Sequence, residues 1–277
     1  MDLSPLTPRF GIPEQHGEGV LKIRTIDDFR ASGINNILDT VDTSIPENLD
    51  VALACISLYK HLAPGCILNI SSADFAHAYK HVPLTESQKD FATIVFCSPD
   101  GIVHSEVLRT QPSGSRRAPA NWGRVAAFAE FVLFKIFGVV MFVFVDDCFI
   151  IEPRGTCAAA LSALNVTREA LGLALEHSEE VQPTTDLLLL GAEISLRVLS
   201  VEASLPDKKR VEISEELAKI LVRKTLTPAE AAKLRGKLGY AQSLMFGRWG
   251  RAMLSPFSDR QYSLRPGRFH PLSVELS

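Results

Sequence analysis

The stretch Val139–Ile151, VVMFVFVDDCFII, constrains this chain more than any other. Seven apolar residues run into Asp146-Asp147, and four mostly apolar residues, Cys148 to Ile151, run away from them. A continuous run rich in Val and Phe reads as buried strand. Two adjacent carboxylates cannot lie in a packed core without partners, because an uncompensated buried charge is very costly. The simplest solution is a tight hairpin, strands 139–145 and 148–152, whose turn lifts both aspartates into a cleft where a divalent cation offsets their repulsion. An ordinary acidic turn is the plainer alternative, so the rest of the chain has to decide.

Upstream of that hairpin lies a hydropathy trap. Ala126–Val145 is twenty residues long and strongly apolar, the length of a membrane span. Glu130 and Lys135 interrupt it, each costing roughly 2.5–3.5 kcal/mol near a bilayer centre. Gly138 also divides it into an aromatic-rich helical half and a β-branched half. The expectation is a buried helix, 118–137, followed by a buried strand, with no membrane partner.

The 277 residues suffice for one large domain or two to three lobes, and 46% hydrophobic content supports a sizeable core. The net charge of −3 hides an asymmetry: Ala203–Leu254 carries 11 Lys and Arg against 5 acids, so that segment is +6 and the remainder −9. A basic segment on an acidic body points towards a polyanionic partner. Five cysteines, odd in number and without a C-x-x-C pair, read as buried free thiols in a reducing, intracellular compartment, cytoplasmic or nuclear. The opening residues lack the basic start and apolar core of a secretory signal.

Local patterns predict an extended lead-in over 1–20, a strand over 20–30, a helix over 46–62 and a strand over 66–73 ending at Asp74. A turn or single helical turn follows over 74–82. Ser98-Pro99-Asp100-Gly101 predicts a hairpin between 91–96 and 102–108. Beyond the central hairpin come a helix over 155–175, a strand pair at 187–190 and 194–199, helices over 206–222 and 228–244, and a loose tail from 255. The order favours an α+β fold in which helices cover one face of an antiparallel sheet.

Two-metal phosphoryl transfer needs carboxylates able to hold two cations roughly 3.5–4 Å apart. Asp146 and Asp147 alone are a thin donor set; Asp74, at the end of its strand, could supply a third, or could simply cap a helix. At this point the sequence resembles the palm of a reverse transcriptase. The resemblance rests on ordered blocks between residues 20 and 256: KIRTIDDFRASGINN, DFAHAYKHVPL, the Gly114–Arg124 loop, FVDD, LLLLGAEI and LRGKLGYAQSLMFGRWGRAML. Its flavour is that of retroelement polymerases, and it resembles the DIRS-like or related groups of retrotransposons.

The resemblance implies a right-hand polymerase fold, with partial fingers over 1–66, palm over 67–203, a helical thumb-like region over 204–256 and a tail over 257–277, without an RNase H region. It implies RNA-directed DNA polymerase activity: a primer 3′-OH attacks the α-phosphate of a dNTP on an RNA or DNA template, and pyrophosphate leaves. Asp74, Asp146 and Asp147 would hold two Mg²⁺ ions, with Mn²⁺ as a substitute. Tyr79 would be the gate under the sugar that excludes a 2′-OH, or else a half-buried aromatic. Lys22 and Arg24 would neutralise the triphosphate, or form a solvated strand face. Gly114 would let the loop backbone approach the template–primer, and Arg116 and Arg117 would meet phosphates or solvent. Arg235, Lys237, Arg248 and Arg251, interleaved with Tyr240 and Trp249, would track a phosphate backbone.

Two departures stand out. Pro112-Ser113 precedes Gly114 where relatives carry an aromatic or Gln, and residues 177–182 contain no lysine where one associated with proton donation to pyrophosphate is expected. A catalytically silent nucleic-acid-binding relic and an RNA-dependent RNA polymerase are the alternative readings.

Overall fold

The computed structural model describes residues 5–16, 20–38, 49–245, 250–263 and 271–272, and for 14–16, 20–22 and 177–179 the backbone alone. The chain is a mixed α+β protein in two compact units, residues 1–184 and 185–277.

In the first unit, β1 (Leu6–His16) pairs antiparallel with β2 (Val20–Asp27) and, through Leu6–Pro8, parallel with β4 (Thr93–Cys97), which forms the expected Asp-Gly hairpin with β5 (Val103–Val107). The lead-in read as loosely extended is therefore a strand with partners on both sides. Arg9 of β1 and Asp27 of β2 form a two-bond ion pair, Nε–Oδ1 2.6 Å and Nη2–Oδ2 3.1 Å. Two short helices, α1 (Ile34–Ile37) and α3 (Glu86–Lys89), flank α2 (Leu49–Leu62) in chain order.

The central sheet has the order β6-β7-β3-β8, all antiparallel, from β3 (Leu68–Phe75), β6 (Met141–Phe144), β7 (Asp147–Pro153) and β8 (Leu175–Thr184). Two helices cover one of its faces. In α4 (Ala118–Phe137), Pro119 in the first turn and Gly138 beyond the last, at φ 70°, set the limits. Its buried residues Trp122, Ala126, Ala129 and Leu133 recur at helical spacing, and the alanines let the helix lie close to the sheet. In α5 (Cys157–Leu171), Ala160, Ala163 and Leu164 do the same. Ala73 and Phe75 of β3, Met141 and Val143 of β6, Cys148 and Ile150 of β7 and Leu175 of β8 face these helices in one core. No helix among the described residues is long and apolar enough to cross a membrane.

In the second unit, β9 (Asp186–Leu189), β10 (Ala192–Leu196) and β11 (Val201–Ser204) form a meander. Leu190 and Gly191, at φ 49° and 81°, make the two-residue turn between β9 and β10, where both central residues need positive φ. Helices α6 (Asp207–Arg223) and α7 (Pro228–Ser243) follow; α7 is opened by a reciprocal capping box between Thr227 and Glu230. The described part of the tail is more ordered than expected: a 3-10 turn, Arg251–Leu254, leads into α8 (Ser255–Gln261), whose buried Arg260 donates to the Pro271 carbonyl. The boundary between the units falls inside the 67–203 segment. All five cysteines are free, but only Cys148 and Cys157 are buried; Cys55 and Cys66 are partly exposed and Cys97 is exposed.

Candidate active site

The carboxylates are placed by strand register. Asp74 of β3 lies directly opposite Asp147 of β7, and Asp147 lies opposite Phe144 of β6. Only Val145 and Asp146 remain for the turn. The hairpin read from the sequence is present, but just one of its two aspartates, Asp146, is lifted out; Asp147 is the first residue of β7 and only partly exposed. The reason is the length of the loop: a two-residue connection keeps the ladder running to its edge.

That turn is held in an unfavourable conformation. Val145 adopts φ 60°, an outlier for a β-branched residue, which costs about 1–3 kcal/mol and persists only where the surroundings impose it. Two donors do so. The Trp122 indole N–H donates to the Val145 carbonyl, and the Phe75 amide donates to the Asp146 carbonyl at 2.8 Å. The Trp122 ring in turn meets Phe75 edge-on at 5.2 Å and lies 5.9 Å from His81, whose Nε2 is 3.0 Å from the Ala76 carbonyl. Phe75, His81 and Trp122 thus form one footing for the aspartate turn and for the 3-10 turn Ala78–His81.

Tyr79 stands on that 3-10 turn, half-buried against the core. Burial first, and then the Asp146 charge, hold its phenol above the ordinary value, while Arg24 pulls it down. Asp146 and Arg24 are therefore each within electrostatic reach of Tyr79. Lys22 lies on β2 two residues from Arg24, with its side chain outside the described residues. Cys148, beside Asp147 but on the helix-covered face, is no candidate ligand: burial pushes its thiol up to about 12, and the charges of Asp74 and Asp147 add to the shift.

Aspartates directly opposite one another in a ladder repel, a placement that destabilises the pair. Their all-oxygen donor set is the kind Mg²⁺ and Mn²⁺ take, usually through one or two carboxylates plus water and phosphate. Asp74 and Asp147 fit that demand. Among the described residues, however, no three His, Cys, Asp or Glu side chains are gathered closely enough to cage a metal ion, so Asp146 extends the pair without closing it.

Gly114 lacks a side chain for an internal reason. A Cβ there would stand 1.8 Å from the Asp27 carbonyl oxygen at the end of β2. Asn35 of α1 clamps the same loop, donating to the Gly114 carbonyl at 3.1 Å and accepting from the Arg116 amide at 2.9 Å. Gly114→Ala is expected to cost about 1–3 kcal/mol through overpacking, visible as a lower denaturant midpoint. Arg116 is exposed, and Arg117 is partly buried at the N-terminus of α4.

In the second unit the basic residues divide. The Lys237 ammonium bonds Glu212 and Glu216 of α6, both at 2.6 Å, tying α7 to α6. The Tyr240 hydroxyl donates to the Leu190 carbonyl at 2.7 Å, and Lys209 bonds the Gly191 carbonyl at 3.2 Å. Lys237 and Tyr240 thus hold the unit together. Arg235 and Arg251, both exposed, share a groove of about 480 Å³ with Gly236, Gly239, Ser255 and Ser258. Arg248 and Trp249 lie outside the described residues.

No protein-family model and no curated protein matches the sequence. Solved structures do. A foamy viral protease–reverse transcriptase (dRH) in complex with double-stranded DNA matches with a TM-score of 0.65 at 17% identity, over 98% of this chain and 41% of that chain. A foamy viral protease–reverse transcriptase in complex with an RNA/DNA hybrid matches with a TM-score of 0.61 at 16% identity, over 97% of this chain and 31% of that one. The fold is reverse-transcriptase-like. The chain spans less than half the length of either neighbour. Sequence reasoning missed Asn35 and Trp122 as supports of the site; a buried Trp one turn into α4 carried no signal of its hydrogen bond to the turn.

Proposed function

We propose that this chain is the polymerase core of an RNA-directed DNA polymerase, an intracellular nucleotidyltransferase that adds dNTP to a primer 3′-OH on an RNA or DNA template. The observation that carries the reading is the Asp74–Asp147 register, which sets two carboxylates directly opposite one another on one face of the sheet. The assignment of 67–203 to a palm, 1–66 to partial fingers and 204–256 to a helical thumb rests on the order of the sequence blocks. The DIRS-like placement rests on the sequence blocks alone.

Asp74 and Asp147 would hold Mg²⁺, or Mn²⁺ in its place, and Asp146 would share in holding a second ion. Bound there, the cations would supply charge stabilisation for the phosphoryl transfer. The chain's own part is positioning. The Val145-Asp146 turn, pinned by Trp122 and Phe75, fixes the carboxylates against the sheet. Lys22 and Arg24 would meet the triphosphate beside them, and the Gly114 loop, clamped to Asn35, would border the nucleotide. The Tyr79 ring would close the space under the sugar, where a 2′-OH would otherwise fit. Tyr79→Ala is therefore expected to raise rNTP use relative to dNTP by roughly 10–100-fold, read as the ratio of single-nucleotide incorporation rates; an unchanged ratio removes the gate from the account.

Arg235 and Arg251 would grip the phosphate backbone from their groove, with Arg116, Arg117 and Arg248 adding charge and Lys237 contributing structure. Replacing Arg235 and Arg251 by Ala is expected to weaken duplex binding uniformly across sequences and to lower the log–log salt slope by about 2. Fluorescence anisotropy between about 50 and 200 mM salt measures it.

A second reading, a silent nucleic-acid-binding relic, draws on two observations: the described acidic side chains do not close a metal cage, and residues 177–182 lack a lysine. Primer extension on an RNA template with Mg²⁺ or Mn²⁺ separates the readings. Extension supports the polymerase, and salt-sensitive binding with no extension under either metal supports the relic.

A further inference from the structure

One carboxylate outside the proposed ligand set occupies the row they define. Phe75 and Leu175 are ladder partners and both face the helix-covered core, so the next pair, Asp74 and Glu176, shares the opposite face. Ala73 and Cys148 are partners on the core side too, so Asp147 shares that opposite face with Asp74. Asp147, Asp74 and Glu176 thus stand in one row across β7, β3 and β8, with Asp74 in the middle. Adjacent Cβ atoms in such a row are about 4.5–5.5 Å apart.

The register that creates this row is irregular. From Ser72 to Asp74, β3 advances two residues, while its partners on β8 run from Val181 to Glu176, five residues. The additional residues bulge out of β8 immediately beside Asp74. Bulges next to functional sites re-aim a side chain, and this one brings Glu176 opposite Asp74.

Resting on the metal-site reading above, we propose that Glu176 is a positioning residue for that site: its carboxylate accepts a hydrogen bond from water on the divalent cation held by Asp74 and Asp147. Asp147 and Glu176 lie on strands about 9.5 Å apart across β3, too far to share one ion directly, whereas a bridging water spans the gap. The third negative charge strengthens cation capture, and by accepting from the bound water it fixes where that water sits, as hydrogen-bond partners behind a metal's ligands do.

Mn²⁺ titration of the metal-free full chain, followed by electron paramagnetic resonance without nucleotide, tests this. Wild type is expected to bind Mn²⁺ in an Asp74-dependent manner, so Asp74→Asn abolishes that binding. Glu176→Gln, and separately Glu176→Ser, weaken it by about 10–100-fold, with thermal denaturation of each metal-free variant checking that it is folded. Wild-type Mn²⁺ affinity in both Glu176 variants, with loss in Asp74→Asn, overturns the role of Glu176 and leaves the site standing. Mn²⁺ binding equal in all four proteins, or absent from wild type, overturns both.

Discussion

Asp74→Asn lowers template-directed extension by a factor on the order of 10²–10³, the loss typical when one preorganised electrostatic group is removed. Asp74 faces Asp147 across the ladder, and the amide keeps the shape of the side chain while removing the charge that a divalent cation requires. Steady-state extension measures the loss, and thermal denaturation on the same preparation checks that the variant is folded. Full activity in the folded variant makes the aspartate pair incidental to catalysis.

Trp122→Ala has the largest expected effect on stability. The side chain is 1% exposed and packs beneath the sheet, so truncation costs about 3–5 kcal/mol, against a typical domain stability of about 5–15 kcal/mol. Trp122→Phe is the more informative variant. It keeps most of the ring volume but removes the indole N–H that Val145 accepts from, at about 1–3 kcal/mol. With that donor gone, the Val145 backbone is free to leave its positive φ and carry Asp146 with it. Extension is therefore expected to fall further than the stability loss alone explains; chemical denaturation paired with single-turnover kinetics measures the difference.

Much of the fold was legible because local signals agreed with the final packing. Pro119 and Gly138 bracket α4, Asp100-Gly101 marks the β4–β5 hairpin, and Thr227-Pro228 opens α7. The strands that escaped are those made by distant partners. β8 reads LEHSEEVQPT, polar and without alternation, and becomes a strand only by pairing with β3. β1 contains Pro8, Gly11 and Pro13, punctuation that argues against a strand, yet β2 and β4 supply its ladder.

The site shows the same division. Asp74, Asp146 and Asp147 were visible as residue types at strand ends, but the turn's length decided that Asp147 stays in the ladder. Gly114 was read as making room for a ligand, whereas the close approach is to Asp27 of its own chain. Lys237 and Tyr240 stood in a basic, aromatic segment, and their partners Glu212, Glu216 and Leu190 turn them inward. Sequence spacing cannot reveal those partners, because they come from other helices and strands. Glu176 was invisible for the same reason.

The most direct test of the central claim is primer extension by wild type and Asp146→Ala, side by side, on one RNA template with a DNA primer, dNTPs and Mg²⁺. Asp146 is exposed at the turn, so its replacement spares the fold, which unchanged thermal denaturation confirms. The account predicts extension by wild type and none above background by Asp146→Ala. Equal extension by the two proteins would contradict it.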